Sequence, residues 1–246
     1  ALSSNPFSGQ LFDGEILHAT GLGTNVPLSK LNGGRPFVLL DACEETPTVD
    51  AVNFPNEEAE RAAMQHLIDR GCRNIAIVGH RFAPRADLAH AQNAFALRLR
   101  GACGALSDAG LPYDESMVFE AGDVANGIIA GHAIAERILA ARSGHGGTEF
   151  DGACCANDFA AFGVIRGLAD RGLRVPQDVK VIGFDGVTSG SYTTPALSTI
   201  QVDLTQLAKF SVDMLSERID HGTDEALPPR RAIIGYQLVD RESTAV

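Results

Sequence analysis

The chain has 246 residues, of which 45% are hydrophobic and 21% charged, so it can bury the core of one large domain or of two small ones. Its formal net charge of −11 excludes a broad phosphate-binding surface on this polypeptide, and its apolar runs are too short for a membrane span. Five cysteines without framework spacing favour reduced thiols and a cytoplasmic location over a secreted disulfide scaffold.

Strand-like and helix-like patterns alternate along the chain, which predicts mainly parallel sheets with helices on both faces. Strands are predicted at residues 15–19, 36–41, 74–79, 117–123, 152–156, 179–185, 197–202 and 233–239. Helices are predicted at 56–70, 87–108 and 126–142, from 157 to a left-handed cap at Gly172, and at 204–220. The last strand is expected to lie antiparallel at a sheet edge.

Polar side chains stand at the ends of several predicted strands, at Asp41, Asn157 and Asp185. In open α/β sheets, ligands bind outside the carboxyl ends of the strands. Helix capping is the ordinary role of asparagine and aspartate, and Asn157 is expected both to cap a helix and to bind. No helix pattern follows Asp41 or Asp185 at once, so capping explains these two acids less well.

Arg98 lies in an otherwise apolar helical stretch, from Ala94 to Leu106. A solvated helix face is the usual explanation for a helical arginine. The alternative is a guanidinium fork that binds adjacent hydroxyls or a carboxylate beside the acids at the strand ends. The spacing leaves both interpretations open.

The motifs of enzymes and of metal sites are incomplete in this sequence. Gly21 and Gly23 lack the third glycine of a dinucleotide loop, and Thr188 occupies the position that serine takes in a nucleophile elbow. The histidines are scattered without metal-ligand spacing. These observations predict a protein that is not an enzyme and that holds no metal or cofactor.

Five segments of the chain resemble the lactose/galactose-repressor (LacI) family of bacterial transcription regulators. They are residues 66–76 (HLIDRGCRNIA), 156–163 (ANDFAAFG), 172–185 (GLRVPQDVKVIGFD), 192–200 (YTTPALSTI) and 238–244 (LVDREST). Their order is that of the family, and the resemblance covers nearly the whole chain from Phe12 onward. Cys72 stands where the family usually has histidine.

The resemblance implies an α/β periplasmic-binding-protein-like fold, with two doubly wound parallel-sheet lobes joined by a hinge and a ligand between them. The first lobe is assigned to residues 1–81 plus 203–226, and the second to residues 82–202 plus 227–246. A helix, a strand and a second helix of the family do not fit between Gln10 and Phe12, which suggests that a segment is missing there.

The resemblance also implies partners. It predicts a cytoplasmic homodimer without membrane attachment, which binds operator DNA through an N-terminal helix-turn-helix domain that is not in this chain. The small-molecule effector is expected to be a carbohydrate that controls this DNA binding.

The effector-binding positions that carry over by resemblance are Asp41, Arg98, Asn157 and Asp185. Phe7 and Ser8 are expected to line the cleft, in a loop that follows the family's first strand. Val124 stands where the family often places an aromatic residue that stacks on the ligand, and this departure favours a sugar over a flat purine.

One alternative function shares this fold, namely an extracytoplasmic sugar-binding protein that serves a transporter. Residues 172–185 and 238–244 carry the regulator's signatures and favour the effector-sensing domain of a LacI-type regulator.

Overall fold

The computed structural model describes residues 12–19, 35–120, 127–143, 150–221 and 227–245. The chain divides into two compact units. Unit 1 comprises Ala1–Pro55, Gln92–Ala94 and Asp203–Gly235, and unit 2 comprises Asn56–Ala91, Phe95–Val202 and Tyr236–Val246. Each unit is built around a sheet of its own, which confirms the predicted α/β class with two parallel-sheet lobes.

The strands of unit 1, numbered in chain order, are β1 (Glu15–His18), β2 (Phe37–Leu40), β3 (Ala51–Asn53) and β9 (Arg231–Ile233). They form a parallel sheet in the order β1-β2-β3-β9. Helix α6 (Leu204–His221) packs on β1, β2 and β3. Val38 and Val52 are fully buried, so the two central strands carry the core of this unit.

A buried carboxylate joins α6 to this sheet. Asp50 lies just before β3 and accepts hydrogen bonds from Arg218 Nε and Nη2 at 2.9 and 2.8 Å. It also accepts from the backbone nitrogen of Arg230 at 2.8 Å and from Arg230 Nη2 at 3.1 Å. Burial acts to raise the pKa of Asp50, but the hydrogen bonds from Arg218 and Arg230 outweigh it and lower the pKa. Asp50 therefore holds α6, β3 and β9 together as an ionised group.

The strands of unit 2 are β4 (Ile75–Val78), β5 (Val118–Phe119), β6 (Gly152–Cys155), β7 (Lys180–Asp185), β8 (Ser198–Val202) and β10 (Tyr236–Val239). Their order in the sheet is β10-β8-β7-β6-β4-β5. All are parallel except β10, which runs antiparallel to β8 at the edge, as predicted. Strands β4 and β6 are buried at every residue, as expected for parallel strands that are covered on both faces.

The helices of unit 2 are α1 (Asn56–Asp69), α2 (Arg85–Leu88), α3 (Ala94–Asp108), α4 (Gly127–Ser143) and α5 (Asp158–Asp170), and of these only the first residue of α3 is counted with unit 1. Helix α1 packs on β6, β7, β8 and β10, α5 packs on β6 and β7, and α4 packs on α5. No helix in the described ranges is both long and apolar enough to cross a membrane.

The structure corrects three of the predicted elements. The predicted helix at 87–108 is interrupted between α2 and α3, and α3 begins after Asn93, a residue type that is favoured at helix starts. The predicted strand at 233–239 is two strands, β9 and β10, which belong to different sheets. Strand β3 is absent from the prediction because a three-residue strand is too short to show a period.

The two units also differ from the lobe ranges inferred from the sequence. The sequence assigns residues 56–81 to the first lobe, but β4 pairs with β5 and β6, which places this segment in unit 2. It assigns residues 227–235 to the second lobe, but β9 pairs with β3 in unit 1. The division therefore falls at Pro55 rather than near His80.

Candidate functional site

The strand order of unit 2 reverses between β4 and β6. From β4 the chain continues to β5 on one side, and then to β6, β7 and β8 on the other side. The carboxyl ends of β4 and β6 therefore flank a topological switch point, which is where open α/β sheets bind ligands. Ala156 and Asn157 follow β6 at this edge, and Asp185 ends the neighbouring strand β7.

The two acids predicted at strand ends have unusual backbone conformations. Asp41 follows β2 in unit 1 with a φ of 59°, and Asp185 ends β7 in unit 2 with a φ of 106°. Within the described ranges, they are the non-glycine residues with positive φ. Aspartate tolerates this region better than most residues, but the conformation still costs about 1 kcal/mol or more. Such strain clusters at ligand sites, which keeps both acids as candidates on local geometry.

Arg98 is 8% exposed, so the solvated-face interpretation of this residue is wrong. Its Nε donates to Asn56 Oδ1 at 2.8 Å, and its Nη1 donates to the backbone oxygen of Ala156 at 2.6 Å. The guanidinium carbon lies 3.6 Å from the centroid of the Phe184 ring. Nη1 is 3.9 Å from Asp185 Oδ1, an ion pair that is longer than a hydrogen bond. Guanidinium has five N–H donors, so this fixed group has donors left for a further acceptor.

Asn157 caps helix α5, since its Oδ1 accepts a hydrogen bond from the backbone nitrogen of Ala160 at 2.8 Å. The expected capping role is therefore present. The cap engages the carboxamide oxygen, so the NH₂ group is the part of the side chain that can donate to a ligand. A cap at the switch point also fixes where α5 begins relative to β6.

The next residue, Asp158, is fully buried. Its Oδ1 accepts a hydrogen bond from Thr199 Oγ1 at 2.6 Å, and its Oδ2 accepts from the backbone nitrogen of Val187 at 2.7 Å. Burial raises the pKa of Asp158 to about 6, although the hydrogen bonds from Thr199, Val187 and Gly186 act to lower it. The Asp158 carboxyl group therefore releases its proton closer to neutral pH than an ordinary aspartate, whose pKa is 3.8.

Residues 64–244 match the periplasmic binding protein-like domain family. A solved transcriptional regulator of the LacI family from Sanguibacter keddieii is 33% identical, with a TM-score of 0.81, and the match covers 98% of this chain and 83% of that chain. The chain belongs to the LacI family of transcriptional regulators. It is a ligand-binding domain of that family, as the sequence predicted.

Three other transcriptional regulators extend the comparison. The HTH-type transcriptional repressor PurR of Aliivibrio fischeri is 29% identical over 208 residues, which are 84% of this chain and 58% of the repressor. The chain thus spans little more than half the length of this relative. The transcriptional regulator CelR in complex with cellobiose is 27% identical, with a TM-score of 0.78. The match covers 97% of this chain and 68% of the CelR chain. A LacI-family regulator from Enterococcus faecium with bound ribose is 26% identical, with a TM-score of 0.74. The match covers 95% of this chain and 80% of that regulator's chain.

This LacI-family domain also has a buried polar cluster that sequence reasoning missed. Glu60 on α1 and His80 after β4 both have fully buried side chains, with His80 Nε2 3.7 Å from Glu60 Oε1. The Cys154 thiol donates to the same Glu60 oxygen at 3.3 Å, and burial raises the pKa of this thiol. Among the described residues, neither ring nitrogen of His80 nor Glu60 Oε2 has a hydrogen-bond partner. The available signal was the position of Glu60, which shares the buried stripe of α1 with Met64.

The structure brings three of the predicted binding residues to one edge of the unit 2 sheet, namely Arg98, Asn157 and Asp185. Asp41 follows strand β2 of the unit 1 sheet. Phe7, Ser8 and Val124 lie outside the described residues, as does the segment before Phe12 that the sequence marks as incomplete. In the described ranges, no group of three or more histidine, cysteine, aspartate or glutamate side chains is arranged to hold a metal ion.

Proposed function

We propose that this chain is the effector-sensing domain of a bacterial transcription regulator and that its effector is a sugar. The observation that carries the proposal is the fixed guanidinium of Arg98 beside the carboxylate of Asp185, at the switch point of the unit 2 sheet. A donor fork next to a carboxylate suits a molecule with adjacent hydroxyl groups, because each hydroxyl both donates and accepts.

Each polar group has a role in this proposal. Arg98 donates hydrogen bonds to sugar oxygens, Asp185 accepts hydrogen bonds from sugar hydroxyl groups, and Asn157 donates through the NH₂ group that its helix cap leaves available. Arg98 is held by Asn56 and Ala156 before any ligand arrives, so little side-chain entropy is lost on binding. The sugar-bound CelR and Enterococcus faecium regulators support this choice of ligand class.

Four further residues complete the proposed ligand set through the family resemblance. They are Asp41, Phe7, Ser8 and Val124. Asp41 is supported by its strained backbone, with a φ of 59°, at the end of β2. A sugar that makes differential contacts in two arrangements of the protein would shift their populations, and so change operator binding by a helix-turn-helix domain in the cytoplasm. The family membership favours this role over a transporter's sugar-binding protein.

We test the site with a matched pair of arginines on α3. Calorimetric titration of the 246-residue chain with cellobiose and with ribose, preceded by a thermal-shift screen of sugars and sugar phosphates, identifies the ligand. Arg98→Ala should weaken binding by about tenfold or more, because charge-assisted hydrogen bonds are lost. Arg98→Lys keeps the charge without the planar fork and should give an intermediate loss.

Arg100→Ala is the control. Arg100 bonds to the backbone oxygens of Leu88 and Ala89 and pairs with Glu57, so its removal should leave sugar affinity unchanged. Parent-like affinity in Arg98→Ala would show that the site lies elsewhere. Failure of every sugar to raise the melting temperature would reject the ligand class.

We also propose the homodimer that the family resemblance implies. Three large apolar side chains are exposed on the packed helices α4 and α5 of unit 2, namely Ile128, Ile129 and Phe159, and Ile129 is 71% exposed. Clustered apolar side chains that are exposed on soluble proteins commonly mark protein interfaces. Ile129→Asp should shift the chain to a monomer in sedimentation velocity, whereas Val212→Asp, at an exposed position of α6, should not. A monomeric parent chain would refute the dimer.

A further inference from the structure

The carboxylate of Asp158 lies where three parts of unit 2 meet. Through its backbone it is adjacent to Asn157, the helix cap at the switch point. Through Oδ1 it accepts from Thr199 on β8, and through Oδ2 it accepts from Val187, two residues after Asp185. One buried side chain thus contacts β8 and the turn that follows β7, and it is the covalent neighbour of a proposed ligand residue.

The sequence provides room for this carboxylate inside the sheet. A Cβ atom on Gly183 would lie 2.2 Å from Asp158 Oδ1, so only glycine at this position of β7 lets the carboxylate reach its partners. The absence of a side chain at Gly183 therefore lets the Asp158 carboxyl group pack directly against β7, the strand that ends at Asp185.

The turn that Asp158 holds is the strained one. Asp185 has a φ of 106° and Gly186 has a φ of 77°, and the Val187 amide that follows is bound to Asp158. A residue outside its preferred backbone region persists only where the surroundings fix it. The Val187 amide donates to Asp158 Oδ2 at 2.7 Å, so a buried side chain fixes the position of the turn.

We propose that Asp158 is a positioning residue for the effector site: it holds the turn after β7 in the conformation that places the Asp185 carboxylate beside Arg98. Asp158 itself does not touch the ligand, since it is fully buried beneath the turn. This inference deepens the proposed function and rests on it for the identity of the ligand, but the structural step can be measured without any ligand.

The first measurement is hydrogen exchange of the Gly186 and Val187 amides in the 246-residue chain. Asp158→Ala removes the acceptor, so protection of these amides should fall by about tenfold or more while protection in α1 and β4 is retained. Asp158→Asn keeps the shape and one acceptor oxygen, so it should restore part of the protection. This second variant keeps the test valid if Asp158→Ala does not fold.

Ser243→Ala is the matched control. Ser243 is also fully buried and also joins β7 to β8, because it accepts from the Ser198 amide and donates to the Val181 backbone oxygen. These contacts lie at the start of both strands, away from Asp185. Ser243→Ala should therefore lower stability without selectively exposing the Gly186 and Val187 amides.

The second measurement is sugar affinity for the same variants. If cellobiose or ribose binds the parent chain, Asp158→Ala should weaken it by about tenfold, and Ser243→Ala should not. Normal protection of the turn and normal affinity in Asp158→Ala would overturn the positioning role, even if Arg98→Ala abolishes binding. Selective loss of protection at the turn, with no sugar bound by the parent, would support the positioning role and reject the proposed ligand class.

Discussion

Each unit of the molecule contains a buried aspartate that joins a helix to a sheet, and the two acids are satisfied in opposite ways. Asp50 in unit 1 is surrounded by the cations of Arg218 and Arg230, which lower its pKa despite burial. Asp158 in unit 2 is bound mainly by a hydroxyl and backbone amides, and burial raises its pKa to about 6. The same type of side chain thus has a lowered pKa in one unit and a raised pKa in the other.

The difference between the two pKa values follows the position of each acid relative to the proposed effector site. Asp50 lies beside β3 and ties down α6, whereas Asp158 lies beside the proposed effector residues. The two arginines that pair with Asp50 compensate its charge, which favours a stable contact between α6 and the unit 1 sheet. The neutral donors around Asp158 leave its carboxyl group able to titrate near neutral pH. Acids with perturbed pKa values of this kind cluster at functional sites.

The largest effect is expected when the compensation of Asp50 is broken. Arg218→Met removes two hydrogen bonds to Asp50 and leaves a buried carboxylate with Arg230 alone, which should lower the free energy of unfolding by about 3–5 kcal/mol. Urea denaturation measures this loss. Lys209→Met, which removes an exposed ion pair with Asp213 on the same helix, should change stability by less than about 0.5 kcal/mol. A similar loss in both variants would mean that the charge at Asp50 is unimportant.

The second prediction concerns pH. Asp158 has a raised folded-state pKa, so its stabilising contribution is complete below its ordinary value of 3.8 and is lost as the pH rises through about 6. Asp50 has a lowered pKa, so its contribution is present above 3.8 and is lost as the pH falls through its folded value.

Asp158→Asn should therefore flatten the fall in unfolding free energy between about pH 4 and pH 7, by about 2–3 kcal/mol relative to the parent. Thermal and urea unfolding across this range measure the difference between the two proteins. Among the charged or titratable groups that act on Asp158, the Arg241 guanidinium acts to lower the pKa of Asp158, and burial raises the pKa of the Cys155 thiol well above its ordinary value. Parallel pH profiles of parent and variant would contradict the titration of Asp158.

A smaller effect tests a third buried acid, Glu60, whose neighbour is the buried ring of His80. His80→Phe should lower the unfolding free energy by about 1–2 kcal/mol, because it removes the polar ring 3.7 Å from the buried Glu60 carboxyl group and leaves the Cys154 thiol as the polar contact of that group. The double variant Glu60→Met with His80→Phe should recover most of this loss, because well-packed apolar groups often replace a buried polar pair without cost. Additive losses in a double-mutant cycle would argue that the pair is not coupled.

The sequence predicted the sheet architecture because parallel strands carry continuous apolar runs that are easy to read. It also located the proposed binding residues, since Asp185, Asn157 and Asp41 follow such runs. It did not predict that Asp41 and Asp185 adopt positive φ, because aspartate is compatible with both turn and strand-end conformations. The direction of Arg98 likewise depended on Ala156, a residue 58 positions away in the chain.

The division between the units was harder to predict than the elements. It depends on which strands pair, and β4 and β9 pair with strands distant in sequence. The cluster of Glu60, His80 and Cys154 was missed for a related reason, since its members come from a helix, a loop and a strand that are joined only by folding.

Helices α4 and α5 meet through glycines, and this contact limits how the protein can vary. A Cβ atom on Gly131 would lie 2.1 Å from the Ala160 backbone oxygen, and one on Gly163 would lie 2.0 Å from the Ile128 oxygen. Every amino-acid replacement of glycine adds at least that atom, so no single substitution at either position can be accommodated without separating the two helices. Variants of this regulator that acquire new ligands are therefore expected to keep both glycines while the side chains around Arg98 diversify, and a deep mutational scan would display this contrast directly.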